Sequence, residues 1–349
     1  MSQKYVVRLS DTSGCHGGKV AGQEQWYQRH PHKACNDPEM SMVSYIGNGP
    51  YCYANSAAML LESVGETVEP RLLEVLSGVG LGAFWLAESQ TLFLSGWASM
   101  PDVGVSRAFG LLGFKVAEEA ESDGAPMPAE ALARQLDDGP VLLGPLDVGE
   151  LPYQPDSQGG NGVDHFVLAL GFEGDEVVVH DPDGYPAVPI ALEALDRAWR
   201  ADLIEYRRGT YRRWHSPTRT TSPVPEEIAN KAIRSFAWAY RESRATALPG
   251  VAIGPEAVEA LVATLRDGAL AEQGLEHLRR FALPLGVRRA LDYAWFLQEV
   301  APELAELKSE QARRLGRAHA AAARPDQESM AEHLSRVADL ERRVEAALA

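Results

Sequence analysis

The spacing of apolar residues divides this chain into two regions, with a change between about 206 and 225. Before the change, short apolar runs alternate with Gly, Pro and Asp, as in strands and short helices joined by turns. After it, Ala, Leu, Glu and Arg recur at helical spacing. The pattern predicts an α+β fold followed by an all-α region. We expect an irregular N-terminal segment at 1–48, a mixed domain at 49–222 and a helical domain at 223–349.

The same periodicity places individual elements in the mixed region. A mostly buried helix is predicted from Cys52, and Gly65 is suited to end it because glycine tolerates the left-handed conformation. Further helices are predicted at 69–77, 103–112 and 128–137. Strands are predicted at 140–144, 163–172 and 176–181. The turn at Glu173–Asp175 joins the last two strands into an antiparallel hairpin.

Five or six helices are predicted from 224 onward, several of them next to a proline. These prolines are Pro225, Pro255, Pro284, Pro302 and Pro325. The last helix has an apolar stripe with residues three or four positions apart. The stripe consists of Leu334, Val337, Leu340, Val344 and Leu348. It is expected to pack inside the helical bundle, or alternatively against a second subunit in a homodimer.

Charge and composition narrow the class of protein. The 349 residues include 33 Lys and Arg against 49 Asp and Glu, a formal net charge of −16, which argues against a nucleic-acid-binding protein. Three cysteines are too few for a disulfide framework. The N-terminus lacks the pattern of a secretory signal, and no apolar run is long enough for a membrane helix. We expect a soluble, cytoplasmic protein that binds neither nucleic acid nor membranes.

Three residues form the strongest chemical pattern: Cys52 at a helix start, His165 on a strand and Asp181 at the end of the next strand. Each alone is weak evidence, because free cysteines and strand histidines are usually structural and Asp-Pro-Asp-Gly is a good turn sequence. The position midway between 165 and 181 falls in the predicted turn, and partners in a hairpin are symmetric about its turn. We therefore expect His165 and Asp181 to be neighbours, while the adjacent His180 points to the opposite face.

Cys52 has a physical reason to be reactive at this position. Unpaired N–H groups at a helix N-terminus and a nearby imidazolium both favour the thiolate form. The Cys52 backbone N–H is also free to donate to an oxyanion forming on a bound carbonyl. A carboxylate beside His165 would fix the imidazole tautomer and stabilise its charged form.

Two blocks of sequence resemble a known family. The segments GPYCYANSAAMLLESVG and DHFVLALGFEGDEVVVHDPDG look like the cysteine and histidine/aspartate blocks of papain-like folds of the leader-peptidase type. They are more similar to the butirosin-biosynthesis acyl carrier protein:aminoglycoside acyltransferase family, whose C-terminal region the segment LGVRRALDYAWFLQEVAPEL also resembles. The resemblance spans about 50 to 345.

The resemblance implies a papain-like catalytic domain and an acyl-transfer reaction. An acyl group would pass from the phosphopantetheine thioester of an acyl or peptidyl carrier protein to an amine of a small natural-product intermediate, with no bound cofactor or metal. Cys52 would be the nucleophile, His165 the general base and acid, and Asp181 the orienting carboxylate. The alternatives are hydrolysis by a peptidase or amidase with the same residues, and a non-catalytic papain-like binding module.

The oxyanion site departs from the papain-like pattern. Papain-like peptidases usually have a glutamine six residues before the cysteine, and this chain has Ile46 there. Asn48 and Tyr45 are the nearby polar residues and are the candidates for the second oxyanion donor.

Two further clusters have both a structural and a functional interpretation. The N-terminal group holds zinc-type ligands without the usual paired spacing, so a polar segment without metal is favoured over a zinc site. Its members are Cys15, His16, His30, His32 and Cys35.

The second cluster is basic and lies within 206–221, where no acidic residue follows Glu205. It is either a solvated strand or linker, or a docking patch for the anionic carrier protein and phosphopantetheine. The docking candidates are Arg207, Arg208, Arg212 and Arg213.

Overall fold

The computed structural model describes residues 43–47, 49–324 and 326–349. Asn48 and the N-terminal group of zinc-type ligands therefore lie outside the described residues. Within the described residues, none of the helices is both long enough and apolar enough to cross a membrane.

The first part of the chain mixes helices and strands, as the periodicity predicts. Its helices are α1 (Cys52–Glu62), α2 (Pro70–Ser77), α3 (Pro101–Leu111), α4 (Ala129–Asp138) and α5 (Leu192–Arg200). Its strands are β1 (Phe84–Leu86), β2 (Thr91–Phe93), β3 (Phe114–Glu121), β4 (Val141–Asp147), β5 (Asp164–Glu173), β6 (Glu176–Asp181), β7 (Tyr185–Ala191) and β8 (Thr210–Arg219). Short 3-10 turns at Val148–Glu150 and Pro155–Gly159 separate β4 from β5.

The second part is helical except for one short strand. It consists of α6 (Pro225–Thr246), β9 (Val251–Ile253), α7 (Pro255–Arg266), α8 (Glu272–His277), a π turn at Leu278–Ala282, α9 (Leu283–Leu297), α10 (Pro302–Ala322) and α11 (Gln327–Leu348). The α+β class with a helical C-terminal region is confirmed. The domain limits remain a prediction, because one apolar core includes Tyr51 and Phe109 together with Phe236 and Tyr293.

Two sheets organise the mixed part. Six strands form an antiparallel sheet in the order β3-β8-β4-β5-β6-β7, and three short strands form a second sheet in the order β2-β1-β9. The strand β9 of the helical region pairs with β1 through Phe84 and Ile253. The helical region therefore completes a sheet that begins in the first part of the chain.

The helix α1 is almost entirely buried against the large sheet and the helices α2 and α3. Residues 53–61 are all buried; most of them are Ala, Met or Leu, and the polar Asn55 and Ser56 are buried with them. The helix ends at Glu62, and Gly65 has a left-handed φ of 82° as its sequence predicts. A helix packed on all sides is held rigidly relative to the sheet.

The apolar stripe of α11 is buried within this chain. All five of its residues are buried, and two of them, Leu334 and Val337, belong to a core with α7 and α10. The bundle interpretation therefore accounts for the stripe, and the stripe offers no exposed face for the homodimer that the sequence left open.

Candidate active site

Cys52 is the first residue of α1. The preceding residue, Tyr51, has left-handed backbone angles of φ 81° and ψ 37°, so the chain turns sharply into the helix. The first turn has no acidic residue and no side-chain cap, which leaves its N–H groups and the positive end of the helix dipole uncompensated. Cys52 is half-buried and therefore partly accessible.

His165 and Asp181 meet across the β5–β6 hairpin. The imidazole Nε2 of His165 lies 2.7 Å from Oδ1 of Asp181. His165 is 7% exposed and Asp181 is fully buried, so water scarcely weakens this contact. The neighbour relation expected from the hairpin is therefore present in the structure.

The register of the β5–β6 hairpin differs from pairing that is symmetric about its turn. An irregularity between Ala169 and Gly171 adds one residue to β5, and His180 pairs with Leu168. Asp181 is consequently displaced along the sheet from the backbone of His165, and their side chains meet diagonally on one face.

The imidazole of His165 also interacts with the Cys52 side chain. Burial opposes the charged ring, but the interactions with Asp181 and Cys52 outweigh the burial and raise the pKa of His165 well above its ordinary value. The three predicted residues therefore lie together, in an arrangement that favours a protonated imidazole near the sulfur.

The Asp181 carboxylate accepts four hydrogen bonds. Besides His165, the Asp183 N–H donates to Oδ1, while the Tyr153 hydroxyl and the Gln154 amide donate to Oδ2, each at 2.8 Å. Burial disfavours the charge, but the His165 contact and the other donors lower the pKa of Asp181. The carboxylate is therefore held both ionised and fixed in orientation.

Sequence analysis missed Tyr153 and Gln154. They lie between the two 3-10 turns, in the segment LPYQPDSQGG, which has no hydrophobic period. The sequence pattern predicts only a loop for this segment, and its contact with Asp181 depends on how the loop folds over the end of β6.

His180 faces away from the site, as strand alternation predicts. Its Nδ1 accepts from the Ala187 N–H at 3.0 Å, and its Nε2 donates to the Val43 carbonyl at 3.2 Å. Burial lowers the pKa of His180, in agreement with a neutral ring that is engaged on both sides.

The oxyanion candidates receive little support from the geometry. The Tyr45 hydroxyl donates to the Asp181 carbonyl at 2.8 Å and accepts from the Gly184 N–H at 2.9 Å. Its proton is therefore committed to the β6–β7 turn, which removes Tyr45 from the oxyanion role in this conformation. Asn48 lies outside the described residues. The N–H of Ile46 lies 3.2 Å from the Met59 sulfur.

The arginines of the basic cluster form ion pairs with acidic residues of the same chain, which favours a structural role over donor docking. Arg212 is 7% and Arg213 is 2% exposed, on a strand that lies between β3 and β4 rather than on a linker. The network pairs Arg207 with Asp123 and Asp202, Arg208 with Asp102 and Glu118, Arg212 with Glu118, and Arg213 with Glu119 and Glu121. Three of the six acidic partners, Glu118, Glu119 and Glu121, lie on the neighbouring strand β3, so these charges are compensated within the chain.

A partly buried pair, Tyr206 and Asp164, also interacts with the cysteine. The Tyr206 hydroxyl donates to Oδ2 of Asp164 at 2.7 Å, and Tyr206 interacts electrostatically with Cys52. Burial raises the pKa of Asp164 despite this hydrogen bond. In the part of the chain that the structure describes, no group of three or more His, Cys, Asp or Glu residues is arranged to hold a metal ion.

Comparison with known proteins identifies related sequences. A family model described as the YobF C-terminal domain matches residues 247–349. A protein of Bacillus subtilis (strain 168), named "Uncharacterized protein YobF", is 38% identical over 302 residues, which are 86% of this chain and 96% of that protein.

Among solved structures, a Bacillus anthracis chain provisionally described as a C39-like peptidase is similar. It is 18% identical, covers 53% of this chain and 100% of its own length, and has a TM-score of 0.36. A likeness this distant decides nothing about the site, whose chemistry follows from its own geometry.

Proposed function

The chain belongs to the YobF family, and we propose that it is a papain-like cysteine enzyme. Cys52 is its nucleophile, His165 its general base and acid, and Asp181 its orienting carboxylate. The observation that supports this most is the hydrogen bond between His165 and a buried Asp181 that accepts three further hydrogen bonds, with Cys52 near enough to His165 to help raise its pKa. A nucleophile, a base and a group that orients the base are the parts that covalent catalysis requires.

The proposed reaction is acyl transfer in two steps. In the first, the Cys52 thiolate attacks the thioester carbonyl carbon, the acyl–sulfur bond of the donor breaks, and the phosphopantetheine thiol leaves with the proton held on His165. In the second, an amine attacks acyl-Cys52, His165 takes a proton from the amine, and the Cys52 thiolate leaves as the amide forms. Aminolysis of a thioester is downhill, so no nucleotide is consumed.

The acyl donor and acceptor in this proposal come from the sequence resemblance. The donor is an acyl or peptidyl carrier protein and the acceptor is a small-molecule amine, with no bound cofactor. The compensated arginines on β8 are unsuited to dock the donor, so the carrier protein is expected to use another surface near the open side of Cys52.

One oxyanion donor can be assigned within this proposal. The Cys52 N–H belongs to the uncapped first turn of α1 and is free to donate to the developing oxyanion. The position that provides the second donor in papain-like peptidases is Ile46 in this chain, and its side chain has no polar group.

The proposal is tested by intact-protein mass spectrometry after incubation with a panel of acyl-pantetheine thioesters. We expect an acyl adduct on Cys52 that is lost in Cys52→Ala and kept in His180→Ala, the matched histidine control on the other face of β6. Adding amines should then discharge the adduct to an amide faster than water does.

Each other outcome contradicts part of the proposal. An adduct that persists in Cys52→Ala, or maps to Cys15 or Cys35, would refute the nucleophile. Discharge by water alone, unchanged by any amine, would show a hydrolase. Binding of thioesters without any adduct would indicate a non-catalytic module.

A further inference from the structure

The residue before Cys52 is anchored by the helical C-terminal region. Tyr51 is buried, and its hydroxyl donates to Oδ2 of Asp292 on α9 at 2.8 Å. On the same helix, the guanidinium carbon of Arg288 lies 4.3 Å from the centre of the Tyr51 ring. Two residues of α9, about one turn apart, therefore contact this side chain: Asp292 at its hydroxyl and Arg288 at the face of its ring.

The residue after Cys52 is tied to the same helix. The Tyr53 hydroxyl donates to the buried carboxylate of Glu74, and Arg289 donates to that carboxylate at 2.8 Å and to the Tyr53 hydroxyl at 3.2 Å. Arg289 also donates to the Leu94 carbonyl at 3.1 Å. Both neighbours of the cysteine are thus fixed by side chains of α9, more than 230 residues away along the chain.

The backbone of Tyr51 explains why this anchoring matters. Its left-handed φ of 81° is disfavoured for a residue with a bulky side chain and persists only where the surroundings impose it. This conformation turns the chain so that Cys52 becomes the first residue of α1. Loss of the anchor would let Tyr51 relax towards ordinary angles and would shift the thiol relative to His165.

We propose that Asp292 is a positioning residue for Cys52, which acts by holding the Tyr51 hydroxyl. The helical region is then an obligatory part of the active site although it provides none of the three reacting side chains. This inference rests on the proposed role of Cys52 as the nucleophile that His165 activates.

The test measures the rate at which iodoacetamide alkylates Cys52 near neutral pH, followed for the Cys52 peptide by mass spectrometry so that Cys15 and Cys35 do not contribute. Tyr51→Phe keeps the ring but removes the hydroxyl, and Asp292→Ala removes its acceptor. We expect each to slow alkylation of Cys52 about five- to tenfold, the effect of about one hydrogen bond. The double variant should be no slower than either single one, because both remove the same contact.

Two controls separate positioning from a loss of stability or charge. Asp292→Asn keeps an oxygen acceptor without the charge, and should restore a rate within about twofold of the wild type. Tyr211→Phe is the matched tyrosine control. Tyr211 is also buried with a left-handed φ of 51°, and its hydroxyl donates to Asp196 at 2.6 Å, but it lies in a separate apolar core.

Tyr211→Phe should lower the melting temperature without changing alkylation of Cys52. The proposal is overturned if Tyr51→Phe and Asp292→Ala alkylate like the wild type, or if Tyr211→Phe slows the reaction as much as they do. A rate in Asp292→Asn as low as in Asp292→Ala would also overturn it, since charge rather than hydrogen bonding would then be responsible.

His165→Ala distinguishes a failure of this inference from a failure of the proposed function. If wild-type Cys52 reacts no faster than Cys52 in His165→Ala, then His165 does not activate it and the proposed function fails. If the wild type is faster while the Tyr51 and Asp292 variants match it, only the positioning role is refuted.

Discussion

Substitution of Arg289 by methionine should destabilise the protein more than loss of any surface arginine. Arg289 and Glu74 are both buried, and they form an ion pair between α9 and α2. The Arg289→Met variant keeps a side chain of similar reach but removes the charge that compensates the buried Glu74 carboxylate, to which the Tyr53 hydroxyl still donates. It also removes the donor to the Leu94 carbonyl.

The magnitude follows from the burial of the pair. Removing one partner of a buried ion pair costs about 3 to 5 kcal/mol, because the remaining charge is desolvated without compensation. A chain of 349 residues has an unfolding entropy of about 0.7 kcal/mol/K. The melting temperature of Arg289→Met should therefore fall by about 4 to 7 °C.

Calorimetry measures this change, and an exposed pair gives the control. Arg342 pairs with Glu259 on the surface, where both side chains are about half exposed, so Arg342→Met should leave the melting temperature nearly unchanged. Combining Arg289→Met with Glu74→Met removes both charges and should recover most of the loss. A melting temperature for Arg289→Met no lower than that of Arg342→Met would refute the reasoning, as would a double variant less stable than Arg289→Met alone.

Three further predictions concern the active site. In steady-state assays, His165→Ala should remove nearly all transfer activity while Asp181→Asn should retain more, because misorienting a base is milder than deleting it. A fully active His165→Ala variant would contradict the triad. Tyr153→Phe removes one of the donors to Asp181 and should lower kcat several-fold with KM unchanged, whereas a change confined to KM would place Tyr153 in substrate binding. The raised pKa of His165 implies that the stabilisation from its contacts is complete below the unfolded pKa of about 6.5 and is lost as pH rises through the folded value. The urea midpoint of the wild type should therefore be lower at alkaline pH than at neutral pH. The His165→Gln variant should lack this pH-dependent component. An identical pH dependence in both proteins would contradict the assignment.

Elements with a strong hydrophobic period could be predicted from the sequence. The helix from Cys52, the β5–β6 hairpin and the buried strand β4 each have long apolar runs bounded by Gly or Asp, and the structure contains all three. The strands β1, β2 and β9 have three residues each, which is too short for an alternating pattern to be visible.

The arginine-rich strand β8 shows why charge along the chain leaves both interpretations open. Its arginines have no acidic neighbours along the chain and therefore resemble a solvated or docking surface. The compensating residues Glu118, Glu119 and Glu121 lie on β3, about 90 residues earlier in the chain. They reach the arginines only because β3 pairs with β8.

The same limit applies to the active site. Cys52, His165 and Asp181 could be selected because their spacing follows local elements, a helix start and a hairpin. Tyr153, Gln154 and Asp292 could not, because their contacts depend on a loop fold and on a helix packed from the far end of the chain. Side chains that support a site from a distance have no local periodicity to reveal them.

The pairing of β9 with β1 has a consequence for how this protein is produced. A fragment ending near Ser222 would leave one side of β1 without a partner, exposing its backbone together with the buried rings of Phe84 and Trp85. Unpaired apolar edges recruit other chains and lead to aggregation. Expression of the mixed region alone should therefore yield insoluble material, whereas co-expression with the remaining segment as a separate polypeptide should recover soluble protein by fragment complementation.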